Sequence, residues 1–193
     1  MGKGRMEAFS DGVIAVIITV MVLELKVPLG GALSDLRPML PMFLTYVLSF
    51  VNVGIYWNNH HHMLHAARTV NGPILWANLH LLFWLSVMPF ATAWMSQHPL
   101  ASAPVAVYGA MLLMNAVAYT GLAVLLMRHE GPESALAKAI GADLKGKISL
   151  AFYAVGLVLA FWLPALSLAL YVMVALIWFL PDRRIERVLQ ERP

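Results

Sequence analysis

The sequence predicts an all-α integral membrane protein of six transmembrane helices with both termini in the cytoplasm, and three observations predict it. First, hydrophobic residues make up 61% of the 193-residue chain and charged residues only 12%, against about 25% charged residues in soluble domains. So few charges cannot cover that much apolar surface in water, and lipid has to be the solvent. Second, apolar runs of roughly 20 residues, the length that crosses a hydrocarbon core about 30 Å thick, recur along the chain. Third, the Lys and Arg residues are shared very unequally between the connections.

Helix 1 is read from Ala8 to Val27, stopped by Pro28 and the Gly30-Gly31 pair. It lacks a small-residue cleavage site and runs into Glu24, Lys26 and Pro28, so it is expected to stay as a mature helix. Helix 2 is read from Pro38 to His65, its last turns rich in Asn and His, and helix 3 from Ile74 to Met95, just after Asn71-Gly72-Pro73. Helix 4 is read from Pro104 to Arg128. Residues 129–145 form a polar cytoplasmic loop, with Glu133 to Ile140 expected to make a short surface helix.

From Ile148 to Leu180 there is no charge. That stretch is too long for one span: roughly 33 residues at about 1.5 Å each reach about 50 Å. Pro164, at its middle, divides it into helix 5 (146–163) and helix 6 (165–180), and 181–193 is a basic cytoplasmic tail. The whole chain is one transmembrane domain without internal repeats.

Orientation follows from the basic residues. With six spans, Lys3, Arg5, Arg68, Arg128, Lys138, Lys145, Lys147, Arg183, Arg184, Arg187 and Arg192 fall on one side, and only Lys26 and Arg37 on the other. The richer side is the cytoplasm.

Several function classes drop out. A net charge of +3 invites a nucleic-acid partner, but the basic residues sit between apolar runs and form no stripe. Cysteine is absent, which removes disulfides, thiol catalysis and Cys-ligated metal. There is no Gly-rich phosphate loop, no nucleophile elbow and no pair of carboxylates on a helix face, so neither an enzyme nor a cofactor is expected.

Polar residues within apolar spans are the functional candidates. Asp11, near the cytoplasmic end of helix 1, can bind a cation or relay protons, or it can pair locally and lock the bundle. Among His60, His61, His62 and His65, spacings of three and four allow a metal grip on one helix face. No acidic residue lies among them, which favours interfacial hydrogen bonding. Glu24, at the outer end of helix 1, either contributes to an acidic ring at a pore mouth or is an interfacial charge with no role. Helical spacing puts Gly12, Val16, Thr19, Val20 and Leu23 on one stripe. That stripe is either a packing face or a narrow apolar passage that gates by dewetting.

Arg5, Phe9, Ser10, Asp11 and Gly12 compose an RxxxFSDG signature at the head of helix 1, and in this the chain resembles the transmembrane protein 175 family of lysosomal potassium channels and their bacterial relatives. Trp57, His60 and His61 at the end of helix 2, Trp76 and Asn78 in helix 3, and Pro89, Phe90 and Thr92 near its outer end agree with that likeness. The resemblance implies a homotetramer in a bacterial inner (plasma) membrane, with helix 1 of each copy lining a central pore that has no carbonyl selectivity filter. It implies passive conduction of K⁺ and other monovalent cations, with lipid and copies of itself as partners, no nucleic acid, no cofactor and no metal beyond K⁺ in transit.

Carried over by position, the constriction falls at Val16, the selectivity-linked hydroxyl at Thr19, and further apolar layers at Val20 and Leu23. Asp11, five residues before Val16, lies about 140° around the helix from it and faces helices 2 and 3. Arg5, Phe9, Ser10, Asp11, Trp57, His60, His61 and Asn78 are therefore expected to make a buried polar network that orients helix 1. The competing function is a proton-coupled secondary transporter using Asp11 and the His60–His65 cluster.

Overall fold

The structure, a computed structural model, describes residues 2–141 and 143–179, and within them every regular element is helical. The basic tail 181–193, with Arg183, Arg184, Arg187 and Arg192, lies outside the described residues, as does Leu180. In chain order the elements are α1 (Gly4–Leu23), a 3₁₀ segment (Leu33–Met39), α2 (Leu40–Ala66), α3 (Gly72–Gln97), α4 (Ser102–Glu130), α5 (Ala135–Ile140), α6 (Leu144–Leu159) and α7 (Pro164–Phe179).

Local chemistry sets these boundaries. Asn71 caps α3, accepting the Ile74 N–H at 3.1 Å, and Pro73 sits in the first turn, where its missing N–H costs nothing. Ser134 caps α5 and Asp143 caps α6 in the same way, through Ala137 N and Gly146 N. Gly131, at φ 89°, terminates α4 in a conformation that a side chain resists. The last carbonyls of α2 would be orphans, but Lys3 Nζ donates to Leu64 O, His65 O and Ala67 O at 2.7, 2.9 and 2.8 Å.

Four stretches are long and apolar enough to cross a membrane: Gly4–Leu23, Leu33–Ala66, Gly72–Gln97 and Ser102–Glu130. The expected fifth and sixth spans are represented by α6 and α7, of 16 residues each. α6 reaches about 24 Å, short of a core about 30 Å thick, and α7 is described as far as Phe179. The apolar run is longer than these helices because Ala160–Leu163 is spent on the turn, where Leu163 N donates to Leu159 O at 2.7 Å. Seven α-helices are described, since α5 adds one within the polar loop.

The helices pack around α3 and α4. α1 lies against α3 and α2, while α6 and α7 pair with each other against α4. Tyr171 of α7 fits between Gly109 of α4 and Gly156 of α6, where a Cβ at either glycine would overlap its ring. Ser49, Thr92 and Tyr108 join α2, α3 and α4 through buried hydroxyls, with Thr92 Oγ1 donating to Ser49 Oγ at 2.7 Å. Among the described residues, one face of α1 is left open, with α3 along its edge.

Candidate functional site

α1 has two apolar faces with different fates. Met6, Ser10, Ile14, Ile17 and Met21 are buried against α2 and α3, Ile14 being 2% exposed and Met21 1%. Val16, Val20 and Leu23 are 60%, 40% and 80% exposed, and Gly12 and Thr19 share their side. Val16 and Val20 border a groove whose far wall is formed by Ser86 and Pro89 of α3. The Thr19 hydroxyl donates to Val16 O at 2.8 Å. Its hydrogen is thus spent on the helix backbone, and what it presents outward is an oxygen with lone pairs, an acceptor suited to a cation.

The polar residues of α1, α2 and α3 do not form one network; they separate into an inner chain and an outer pair. Inside, Ser10 Oγ donates to Met6 O at 2.8 Å, and Asn78 Nδ2 donates to Ser10 Oγ at 2.9 Å. The Asn78 carbonyl oxygen lies 2.7 Å from His60 Nε2. An oxygen can only accept, so His60 carries its proton on Nε2. Ser10, His60 and Asn78 are all buried, which is where leaving such bonds unmade is costly. Toward the surface, Trp57 Nε1 donates to Asp11 Oδ1 at 3.0 Å, and His61 Nδ1 sits 3.2 Å from Glu7 Oε1. Asp11 is half-buried and Trp57 is 44% exposed, so the expectation of burial does not hold for them within one chain.

Two expected members stand apart. Arg5 is exposed, and no described hydrogen bond or ion pair joins it to Asp11 or the others. Phe9 is 55% exposed. The reason is helical geometry: Arg5 lies about 120° from Asp11 but within roughly 20° of Gly12 and Val16. It heads the open stripe. Phe9 is displaced about 100° from Ser10 and borders the same groove.

Sequence reasoning missed Glu7 and Lys3. Glu7 was legible in principle, because it lies three residues before Ser10 and four before Asp11, on their side of the helix. The role of Lys3 depends on where α2 ends, which only the fold reveals. Among the described residues no three His, Asp or Glu side chains are grouped to hold a metal ion. His60 points inward to Asn78, His61 meets Glu7, and the His61 and His65 rings stack at 6.2 Å.

The model of a family described as endosomal/lysosomal potassium channel TMEM175 matches residues 5–89. A potassium channel of Chryseobacterium sp. is 55% identical over 191 residues, covering 99% of this chain and 100% of the relative. The endosomal/lysosomal proton channel TMEM175 of Homo sapiens is 34% identical over 96 residues, 43% of this chain and 19% of that one. The crystal structure of a lysosomal potassium-selective channel TMEM175 homolog from Chamaesiphon minutus superposes with a TM-score of 0.80 at 29% identity, covering 92% of this chain and 96% of the other.

Proposed function

The chain belongs to the TMEM175 family, and on that premise we propose that it forms a potassium-selective cation channel in which four copies surround a pore lined by α1. The family is one of ion channels, not of enzymes, and the long apolar helices make this chain a membrane protein. In the proposed topology α1 to α4 and the α6–α7 hairpin give six spans of a single domain in a bacterial plasma membrane. Both termini, the loop 129–145 and the tail 181–193 lie in the cytoplasm, a placement that the Lys/Arg asymmetry supports.

The observation that carries this reading is the open stripe of α1: apolar, uncharged from Gly12 to Leu23, and unpartnered although the opposite face is packed. Val16 is its narrowest layer in the proposal. A ring of valine methyls excludes water when the four helices approach, and a dry segment blocks a hydrated cation without any charged gate. Thr19, one turn on, supplies acceptor oxygens that compensate an ion for part of its lost hydration, and Val20 and Leu23 continue the wall. The transporter reading needs Asp11 and the histidines to be available to a cargo. Asp11 is bonded to Trp57 and His60 to Asn78, which favours the channel.

Flux of K⁺ and Na⁺ in proteoliposomes tests the proposal. Val16→Asn is expected to wet the constriction, raise basal flux and weaken the preference for K⁺. Ile14→Asn, two residues away on the packed face, is expected to damage assembly without opening a path. Equal flux phenotypes in the two variants, with oligomer size checked, would remove the stripe as the conduction path.

A further inference from the structure

Beyond the stripe, α1 ends in a way that helices usually avoid. Leu23 is its last residue and Glu24 its C-cap, at φ −75° and ψ −11°, with no basic residue in the last turn. A helix C-terminus already carries about half a negative charge, and a cation there is the stabilising choice. Here an exposed carboxylate adds to that negative end. Among the described residues no ion pair joins Glu24 to Lys26 or Arg37, the two cations of this end, and the Lys26 backbone N–H is held by Met42 Sδ of α2 at 3.4 Å. Asp35, the other acid of this end, is spent on Ala32 N. Glu24 stands four residues after Val20, about 40° around the helix, at the edge of the open stripe. Since the stripe itself is uncharged, Glu24 is the first charge beside its outer end.

We propose that Glu24 is a cation-concentrating residue of the channel: one carboxylate from each copy, together with the aligned helix C-termini, forms a negative ring at the outer mouth. The proposal rests on the reading of α1 as the pore helix. Low-dielectric walls focus the field of such a ring and raise the local cation concentration at the entrance. The ring acts on charge and not on ion size, so it sets throughput and leaves the choice between K⁺ and Na⁺ to the stripe. Its reach is limited by screening to about 8 Å at physiological salt and extends to about 30 Å at 0.01 M.

Single-channel K⁺ conductance in planar bilayers, at about 0.01 M and about 1 M ionic strength, tests this. Glu24→Gln is expected to lose roughly threefold or more of the conductance at low salt and to match the native protein at high salt. Glu24→Lys should lose more and rectify, Glu24→Asp should restore the native pattern, and none should change the K⁺/Na⁺ ratio. Native conductance in Glu24→Gln at low salt, while Val16→Asn still raises flux, would overturn the ring and leave the pore assignment standing. If Val16→Asn is silent as well, α1 does not line the pore and both readings fall. A loss in Glu24→Gln that persists at high salt would also overturn the proposal, because screening would have no part in it.

Discussion

The two faces of α1 are built from much the same residue types, yet one is locked and the other is open. Ile14, Ile17 and Met21 are packed; Val16, Val20 and Leu23, interleaved with them, touch little within the chain. Apolar character therefore cannot be what separates them. On one side the buried run contains Ser10, which is tied through Asn78 to His60. In a lipid solvent apolar surface gains little from leaving lipid, and helix association rests on close packing and polar contacts. On that physics the polar contacts of the locked face are expected to fix the rotation of α1 and so to aim the stripe.

The largest expected effect comes from putting the same polar group on each face. Ile14→Asn buries an amide with no partner and opens a gap, at a cost of about 4 kcal/mol. Thermal unfolding of the detergent-solubilised oligomer should show no cooperative transition or one far below native. Val16→Asn should unfold near the native temperature. If both melt alike, the faces are not energetically distinct and the comparison fails.

A smaller loss is expected from the polar contacts. Asn78→Leu strands the His60 Nε2–H and removes a donor from Ser10, costing about 2 kcal/mol. Because both lie in one chain of bonds, Asn78→Leu and His60→Leu together should cost clearly less than their sum. Additive losses in the same melting measurement would show that the two residues act separately.

Asp11→Ala should cost less again, about 1 kcal/mol. Asp11 makes one described hydrogen bond, to Trp57, from a half-exposed position. Assembly yield should fall slightly and the K⁺/Na⁺ flux ratio should not move. A lost K⁺ preference would place Asp11 in the conduction path and break the division between the faces.

Much of this was legible in the sequence, and the rest was hidden for identifiable reasons. Apolar run length exposed α1 to α4, because length against bilayer thickness needs no tertiary information. The 16-residue α6 and α7 were harder, since a charge-free run conceals where its turn begins. The stripe followed from helical spacing alone. The polar residues were joined too generously: Arg5 and Phe9 lie on the open side, which their angles from Asp11 and Ser10 already implied. That Asn78 is the central link between Ser10 and His60 depends on how α1, α2 and α3 cross, which spacing within one helix cannot give.

The smallest effect on structure, and the most pointed on function, belongs to Thr19→Val. The change keeps the volume nearly constant and removes a hydroxyl whose hydrogen serves only the Val16 carbonyl. The backbone loses a redundant donor, so the melting temperature should stay close to native, within about 0.5 kcal/mol. What the open face loses is an outward oxygen on each copy. If that oxygen compensates a partly dehydrated cation, its loss should penalise K⁺ and Na⁺ unequally by about 1 kcal/mol, roughly a fivefold fall in the flux ratio. Reversal potentials under bi-ionic K⁺/Na⁺ conditions measure this directly. A ratio that holds in Thr19→Val, in a variant of native oligomer size, would mean that the hydroxyl only braces the helix. Discrimination between the ions would then lie in the apolar layers of Val16, Val20 and Leu23.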